Sequence, residues 1–496
     1  MITITKIDEV YMRIDSDDIS LLQNLNDFFS FFMDGYRFSP KYKARMWDGK
    51  IRLFHYLNRT LYIGLLPYVI DYCKTEEIKV NIDPKLKIET SVTPEQTKQY
   101  IDHLNLGING KKISPRTHQY MGLYHIMKYK RALLQSPTAS GKSLIAYTVT
   151  RYILDINCNN RILIVVPTIS LVTQMYKDFI DYSCLNNWSV KDNVHTISAG
   201  DKKYTDKRVV ISTWQSIHKL PPSYFASFKG VIFDEAHLLK GQSLQNISNK
   251  CSQAEYRIGM TGTVQNTKAN ILVLEGTTGK LKNLITTKQL MDKGEVAQLK
   301  IDVEFLKYPD YMCKGARQLN YQAEINAISG YKERNKVVCD MAIKQKNNTL
   351  LLFNTIAHGK LLYEYIKNNC DRTVYYIDGS TNKTEREDIR VKMEKDKDSI
   401  LICSYGTTST GISIKNLHVI IFASPSKSKV RVLQSIGRGL RLHEDKKHML
   451  LIDVVDDLSW KKRRNYSIKH FIERQNHYND SGFNYSIHKR NIGTDE

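Results

Sequence analysis

Short, nearly continuous apolar runs alternate with helix-length segments through most of the chain after residue 130. The first series of runs comprises 162–166, 209–212 and 230–233. Apolar runs of this length, rich in β-branched residues and separated by helices, are typical of parallel strands buried on both faces of a sheet. A second series comprises 349–353, 373–377, 399–403 and 419–422. The pattern predicts an α/β fold with two doubly wound parallel-sheet domains in tandem.

Changes in this pattern set the predicted domain boundaries. Residues 1–92 combine an early strand with a helix-like segment, which predicts a small N-terminal α+β nucleic-acid-binding module. The polar stretch 94–112 is expected to include a linker, and the two sheet domains are placed at 93–285 and 286–455. The remaining tail, 456–496, carries the basic run 461–464 and then aromatic residues. We expect it to pack on a domain or to contact nucleic acid.

Basic and aromatic residues interleave in the segment 35–54 of the N-terminal module. Asp48-Gly49 between alternating segments indicates a hairpin turn. Cations beside aromatic rings suit a surface that contacts phosphates and packs on sugars or bases, with Lys41, Lys43 and Arg45 as the candidate contacts. The alternative is that the rings form a core and the cations only a solvated face.

The net charge points to a polyanionic partner. The formal charge is +22 and the pI is near 9.4. Nucleic acid is the usual partner of such a chain, and an anionic membrane is the competing one. No stretch has the length and apolarity of a membrane span or the pattern of a signal peptide, so we expect a cytoplasmic protein without a membrane partner. The eight cysteines are scattered, which disfavours a disulfide framework or a zinc site.

A glycine-bearing loop follows the apolar run 132–134 and precedes a helix-like segment. It reads Ser136-Pro137-Thr138-Ala139-Ser140-Gly141-Lys142-Ser143. Strand, loop, Gly-Lys-Ser and helix is the order that a phosphate-binding P-loop needs, because backbone N–H groups and the helix N-terminus then point at the phosphates. Lys142 is expected to neutralise β/γ-phosphate charge, and Ser143 to hold Mg²⁺. Ser136 departs from the generic pattern, which has glycine there.

Two further groups complete a predicted ATP hydrolysis site. Asp234 and Glu235 follow the strand-like run 231–233, at the strand end where ligands bind parallel sheets. Asp234 is expected to complete the Mg²⁺ shell, and Glu235 to act as general base. Arg438 and Arg441 are three residues apart, which predicts that both lie on one side of a helical turn. They would supply positive charge for the transferred γ-phosphate from the second sheet domain.

These motifs together resemble superfamily 2 helicases, element by element and in order. The matching segments are Gln119, 141–143, 166–174, 212–216, 234–237, 261–263, 353–355, 405–412 and 434–441. The likeness is greatest to the phage recombination helicases, through 434–441 and through the Asp-Gly-Tyr-Arg-Phe and Trp-Asp-Gly-Lys-Ile-Arg-Leu blocks of the N-terminal module. It implies two RecA-like domains. The Asp-Glu-Ala-His tetrapeptide at 234–237 does not by itself place the chain among the RNA helicases named after it.

The resemblance also implies roles for residues that the pattern alone does not single out. Gln119 and Gln434 would bind the nucleotide. The candidate nucleic-acid contacts are Thr168, Thr213 and Thr410, and the candidate coupling residues between ATP state and strand path are His237, Thr261, Gly262 and Thr263.

The implied function is that of an ATP- and Mg²⁺-dependent DNA helicase that unwinds and branch-migrates forks, Holliday junctions and R-loops in phage recombination, repair and replication. Branched, single-stranded and duplex DNA are the expected partners. RNA–DNA hybrids and phage recombination or single-strand-binding proteins are further candidates. The expected location is then the cytoplasm of the infected bacterial host.

Two alternatives stay open at this point. One is an RNA helicase, and the other is a nucleic-acid-binding or annealing protein whose nucleotide site only switches affinity. Stimulation of ATP hydrolysis by DNA or by RNA distinguishes a DNA helicase from an RNA helicase. An absence of hydrolysis would favour the binding or annealing protein. A restriction-type motor would need a nuclease segment, and no Pro-Asp…Glu-x-Lys constellation with a nuclease context is evident.

Overall fold

The computed structural model describes residues 1–33, 35–87, 89–198, 200–264, 267–409, 414, 416–424, 428–443 and 446–493. The chain divides into two compact units, Met1–Ser136 with Gly141–Leu284, and Pro137–Ser140 with Ile285–Glu496. Each unit contains a seven-stranded parallel sheet, and the first unit also holds the N-terminal α+β module. The predicted fold class is therefore confirmed. Within the described ranges, no helix is long and apolar enough to cross a membrane.

The N-terminal module is a four-stranded mixed sheet with helices and a separate two-stranded ribbon. Its elements are β1 (Ile2–Lys6), β2 (Tyr11–Ser16), α1 (Ile19–Phe28), β3 (Ser30–Phe32), α2 (Pro40–Lys43), β4 (Lys50–Arg52), β5 (Thr60–Tyr62), α3 (Leu66–Thr75) and β6 (Val80–Ile82). The sheet order is β5-β2-β1-β6, and β3 pairs with β4. Short 3-10 turns cover Tyr36–Phe38, Ile63–Leu65 and Pro84–Leu86.

The prediction of a tight hairpin at Asp48-Gly49 is wrong. The paired strands are β3 and β4, and Phe31 lies opposite Ile51, so the connection includes the whole of 33–49. Pro40 at the start of α2 favours a helical turn there instead of a strand, because its fixed φ suits the first turn of a helix. Gly49 has a φ of +83° and lies against the Tyr36 ring, so it ends the connection before β4.

The parallel sheet of the first unit carries a hydrophobic cluster on each face. Its elements are α4 (Pro94–His103), β7 (Gly107–Ile108), β8 (Lys111–Lys112), α5 (Thr117–Tyr129), β9 (Arg131–Gln135), α6 (Lys142–Ile156), β10 (Ile162–Val166), α7 (Ile169–Tyr182), α8 (Val190–Asn193), β11 (Val194–Ile197), β12 (Val209–Thr213), α9 (Trp214–Ile217), α10 (Pro222–Phe225), β13 (Gly230–Asp234), α11 (Gln242–Lys250), β14 (Tyr256–Thr261), α12 (Lys268–Thr277) and β15 (Leu281–Asn283). The order is β11-β12-β10-β13-β14-β9-β15. Along β10, Ile162, Ile164 and Val166 face one cluster, whereas Leu163 and Val165 face the other.

The N-terminal module packs directly on the first sheet domain. Leu272 and Val273 of α12 belong to the hydrophobic core of the module. The hydroxyl of Tyr68 donates a 2.5 Å hydrogen bond to the buried carboxylate of Glu275, and Glu9 forms a 2.6 Å ion pair with Arg131. An apolar contact and two polar contacts, all largely shielded from water, therefore hold the module to this domain.

The second unit repeats the doubly wound arrangement. Its elements are α13 (Thr287–Asp292), β16 (Gln298–Lys307), α14 (Asp310–Ala316), α15 (Tyr321–Gly330), α16 (Lys332–Lys344), β17 (Thr349–Phe353), α17 (Ile356–Asn368), β18 (Thr373–Ile377), α18 (Lys383–Lys395), β19 (Ser399–Ser404), α19 (Tyr405–Ser409), β20 (Val419–Phe422), α20 (Lys429–Gly439), β21 (His448–Asp457), α21 (Tyr466–Asp480) and β22 (Tyr485–Asn491). The sheet order is β18-β19-β17-β20-β21-β16-β22.

The described part of the predicted tail, 456–493, is built into this second sheet domain. Its strand β22 pairs in parallel with β16, and Phe471 and Tyr478 of α21 are buried in the core of the unit. Arg474 of the same helix forms a fully buried 2.9 Å ion pair with Asp453 of β21, and the Tyr478 hydroxyl donates to the same carboxylate. A buried charge needs such partners, because an unpaired charge away from water is strongly destabilising.

We expect Arg474→Met to lower the free energy of unfolding of the second unit by about 3–5 kcal/mol, because the Asp453 carboxylate would stay buried without its cation. A urea titration followed by circular dichroism measures this change. Arg464→Met, at an exposed position of the same segment, is the matched control and should leave the transition in place. Equal transitions for the two variants would contradict a structural role for the segment.

Candidate active site

The P-loop connects a strand of the parallel sheet to the start of a helix. It leaves β9 at Ser136 and enters α6 at Lys142, and Gly141 caps the helix with a φ of +81°. A side chain at Gly141 would also meet Gln119, because an added Cβ would lie 2.2 Å from Gln119 Nε2. Gln119 donates from Nε2 to the Gly141 carbonyl at 3.3 Å, and its Oε1 accepts from the Arg116 N–H at 2.8 Å. Gln119 is thus held against the loop by two hydrogen bonds, and its role in binding the nucleotide stays a prediction.

One backbone contact attaches the loop to the sheet edge, and one side-chain contact closes the loop on itself. The Ser136 N–H donates to the Thr261 carbonyl at 2.9 Å, which extends the β9–β14 pairing by one residue. The Lys142 ammonium donates to the Ser136 carbonyl at 3.1 Å. Ser136 itself is buried, so the residue that departs from the generic P-loop pattern serves as a structural anchor of the loop.

The acidic pair lies at the same edge of the sheet. Asp234 ends β13 and is opposite Met260 of β14, while Glu235 follows in the left-handed region with a φ of 50°. Loss of solvent, with the negative charge of Glu235 as the next cause, raises the pKa of Asp234 to about 6. Lys142 opposes this shift, so the ammonium is close enough to act on the carboxylate. The site therefore concentrates negative charge beside a single lysine.

The donor set fits a hard divalent cation. Asp234 offers carboxylate oxygens and Ser143 a hydroxyl oxygen, which are the ligand types that Mg²⁺ prefers. Burial, and then the charge of Glu235, raise the pKa of Asp234, and a bound divalent cation would favour its ionised form. Searched over the described residues, the chain has no separate cluster of three or more His, Cys, Asp or Glu side chains that could hold a metal.

Two of the expected coupling residues contact each other. His237 Nδ1 lies 3.1 Å from Thr261 Oγ1 and 3.2 Å from a carboxylate oxygen of Glu235. Thr261 in turn donates to the Thr263 carbonyl at 2.9 Å, and the Thr263 N–H points back at Thr261 Oγ1 at 3.3 Å. Gly262 lies between these two threonines. The imidazole thus connects the Glu235 carboxylate to the turn at 261–263.

The predicted nucleic-acid threonines differ in accessibility. Thr168 is half-buried and caps α7, where its hydroxyl accepts from the Leu171 N–H at 3.4 Å. Thr213 is only 3% exposed, and its hydroxyl pairs with that of Ser216 at 2.9 Å. Thr410 lies outside the described residues. Of the two described threonines, Thr168 offers the more accessible hydroxyl.

The cations of the N-terminal module lie together on its surface. Lys41, Lys43 and Arg45 are exposed on α2 and the turn that follows it. Lys43 and Arg45 line a surface concavity of about 640 Å³ together with Arg37, Tyr42, Met46, Trp47 and Asp48. Tyr36 packs against Phe32 and Tyr42, whereas Phe38 is 81% exposed. The rings are therefore partly a local core and partly open surface.

The arginines of the second unit lie at a helix end. Arg438 is in the last turn of α20, which stops at Gly439, so Arg441 lies beyond the helix and the expected placement of both on one helical turn is wrong. The Lys446 ammonium explains this end, because it donates to the Gly439 carbonyl at 2.8 Å and to the Leu417 carbonyl at 3.0 Å. Gln434 lies in the same helix and is half-buried.

One residue that contacts the predicted site was not predicted from the sequence. Tyr182, the last residue of α7, places its hydroxyl 2.9 Å from the Ser143 hydroxyl. No motif marks it, since the two residues are separated by 39 positions and meet only through the packing of α6 and α7.

Three family profiles match the chain and define its class. "DNA helicase UvsW, N-terminal" matches residues 2–83, "Type III restriction enzyme, res subunit" matches 111–266 and "Helicase conserved C-terminal domain" matches 333–443. With the paired parallel sheets and the P-loop, the last two profiles define a superfamily 2 helicase, and the predicted superfamily is confirmed.

Individual relatives narrow the class. The ATP-dependent DNA helicase UvsW of Enterobacteria phage T4 is 36% identical over 97% of this chain and 98% of its own length. The crystal structure of T4 UvsW matches with a TM-score of 0.53 at 34% identity, covering 99% of both chains. The DNA 3′-5′ translocase XPB2 of Sulfurisphaera tokodaii is more distant, at 22% identity over 73% of this chain and 86% of that protein. The chain belongs to the UvsW family of helicases.

We expect Asp234→Asn to raise the melting temperature of the nucleotide-free protein near pH 8, because folding then no longer has to desolvate a carboxylate. The folded-state pKa of Asp234, about 6, lies above the ordinary value of 3.8. Below about pH 6 the folded protein protonates Asp234, so the gain should shrink as the pH falls towards 4. Thermal unfolding in EDTA measures it. Asp71→Asn, at an exposed position, is the control, and a gain independent of pH would contradict the electrostatic cause.

Proposed function

We propose that this protein uses ATP hydrolysis to unwind and branch-migrate branched DNA, including forks, Holliday junctions and R-loops. One observation carries the proposal: the match to T4 UvsW, an ATP-dependent DNA helicase by name, extends through the whole chain and includes the N-terminal module. The motor domains of many helicases share one fold, so a match limited to them would not favour this activity over others. A full-length match favours the same substrate class.

In this proposal the P-loop, Gln119 and the acidic pair bind and hydrolyse ATP. The segment 136–143 cradles the phosphates, Gln119 reads the base, and Lys142 offsets phosphate charge. Ser143 and Asp234 would hold Mg²⁺, which supplies positive charge to the transferred phosphoryl group. Glu235 takes the proton of the attacking water.

Coupling is proposed to run through two further sets of residues. His237 relays the state of Glu235 to the turn formed by Thr261, Gly262 and Thr263, a path supported by the 3.1 Å and 3.2 Å contacts of its Nδ1 atom. Arg438 and Arg441, with Gln434, are proposed to act on the bound nucleotide, because phosphoryl transfer needs positive charge near the γ-phosphate. Thr168, Thr213 and Thr410 contact the DNA strand without reading its sequence.

The setting proposed for this activity is the cytoplasm of a phage-infected bacterium. RNA–DNA hybrids would be substrates in the form of R-loops. Recombination or single-strand-binding proteins of the phage are proposed partners. An RNA helicase is the second candidate function. A P-loop motor that contacts a strand through Thr168 and Thr213 would act on an RNA strand as well.

The rate of ATP hydrolysis should rise most with a four-way junction, less with single-stranded or duplex DNA, and least with matched RNA. The reason is that a branched-DNA motor completes its site only on its own substrate. A coupled ATPase assay with the full chain measures this order. Glu235→Gln is the hydrolysis control and should bind ATP without turnover.

Stimulation by RNA alone would overturn the DNA assignment and leave the motor in place. An absence of hydrolysis with every nucleic acid would favour the affinity-switch alternative.

Replacing Lys41, Lys43 and Arg45 together with alanine should weaken junction binding and reduce the slope of log affinity against log salt by about 2–3, since each lost phosphate contact removes about one unit. Fluorescence anisotropy at several salt concentrations measures both quantities. A matched triple variant of exposed lysines in α18 and the turn after it, Lys392, Lys395 and Lys397, tests for a general charge effect. Equal slopes for the wild type and the 41/43/45 variant would leave these cations as a solvated face.

A further inference from the structure

The hydroxyl of Ser143 has a fixed partner in the first unit. Ser143 is the second residue of α6, and its Oγ lies 2.9 Å from the hydroxyl oxygen of Tyr182 at the end of α7. Tyr182 is 8% exposed. Its ring lies 5.6 Å from that of Tyr147, which in turn packs edge-on against Phe179 at 5.1 Å. Packing therefore holds the phenol in place beside the P-loop.

A hydroxyl has one proton and two lone pairs. When it ligates a cation, a lone pair must face the cation and the proton must point elsewhere. At 2.9 Å either Ser143 or Tyr182 can be the donor. A nearby positive charge favours Ser143 as the donor, because it repels the hydroxyl proton towards the phenol oxygen. The same charge disfavours the reverse arrangement, in which Tyr182 would occupy a lone pair of Ser143.

We propose that Tyr182 is a positioning residue for the Mg²⁺–nucleotide site. Its phenol oxygen accepts the proton of Ser143 and so directs the lone pairs of Ser143 towards the divalent cation. The inference rests on the proposed function, in which Ser143 and Asp234 hold Mg²⁺. It adds a residue that touches neither the nucleotide nor the metal.

The role is specific to the metal-loaded nucleotide. Without Tyr182 as acceptor, the Ser143 hydroxyl loses a hydrogen bond that fixes its rotation. Such a bond is worth about 0.5–1.5 kcal/mol, which corresponds to about a 2- to 12-fold change in affinity. Binding of the nucleotide without metal uses the backbone of the loop and Lys142, so it should not depend on the orientation of Ser143.

The test is the affinity for ADP, measured by isothermal titration calorimetry with excess Mg²⁺ and again in EDTA. Tyr182→Phe keeps the ring and removes only the hydroxyl, so the aromatic packing is preserved. We expect it to weaken Mg–ADP binding by about 3- to 10-fold and to leave ADP binding in EDTA unchanged. Tyr176→Phe is the matched control, because Tyr176 lies on the same helix, is half-buried and makes no hydrogen bond through its hydroxyl to any described residue.

A double-mutant cycle with Ser143→Ala connects the effect to Ser143. In the Ser143→Ala background, Tyr182→Phe should cause no further loss. An equal loss with and without Mg²⁺, or the same loss in the Ser143→Ala background, would overturn the positioning role while the proposed function stands. A wild-type protein that binds ADP equally well with Mg²⁺ and in EDTA would overturn the metal site of the proposed function, and the role of Tyr182 with it.

Discussion

The order of three neighbouring strands is the constraint on which the site depends. In the first unit β14 lies between β13 and β9, all parallel, so their carboxyl ends meet at one edge. This order brings together a phosphate loop, an acidic pair and a threonine turn that are far apart in the sequence. The 2.9 Å hydrogen bond from the Ser136 N–H to the Thr261 carbonyl continues the ladder into the P-loop. The loop is thus an extension of the sheet.

Charge at this edge disfavours the ionised form of Asp234. Asp234 and Glu235 are adjacent and poorly solvated, and the raised pKa of Asp234 reflects their mutual repulsion and loss of water. Two buried carboxylates of the second unit have partners of opposite charge. There, Asp453 and Asp456 of β21 are each paired with a fully buried arginine, Arg474 and Arg334 respectively. Compensated charges stabilise a core, whereas an undercompensated pair leaves room for a cation.

The N-terminal module is packed tightly against the first sheet domain. The Tyr68–Glu275 hydrogen bond and the apolar contacts of α12 join the module to the helix that follows the 261–263 turn. The backbones approach so closely that a Cβ on Gly64 would lie 1.9 Å from the Glu275 carbonyl oxygen. The exposed cations of the module are therefore carried on a body that is anchored to α12. The full-length match to T4 UvsW extends over this module as well.

Much of the protein could be predicted from its sequence, because the decisive signals are local. Continuous apolar runs mark strands buried on both faces, and Gly141-Lys142-Ser143 after such a run marks a phosphate loop whatever surrounds it. The position of Asp234 at a strand end follows from the same reasoning. The two sheets, the P-loop and the acidic pair were all predicted in this way.

Contacts between distant segments were decided only by the tertiary structure. Asp48-Gly49 predicts a tight hairpin, but the chain pairs β4 with β3 across a longer connection because 36–43 forms helical turns instead of a strand. Arg441 falls outside its helix, whose last residue, Gly439, has its carbonyl bound by the Lys446 ammonium from further along the sequence. Tyr182 reaches Ser143 only through the packing of two helices. Local sequence patterns determined the strands, the helices and the predicted chemical groups of the site. Tertiary packing determined which distant side chains contact each other, because the sequence around a residue carries no signal of a contact partner far along the chain.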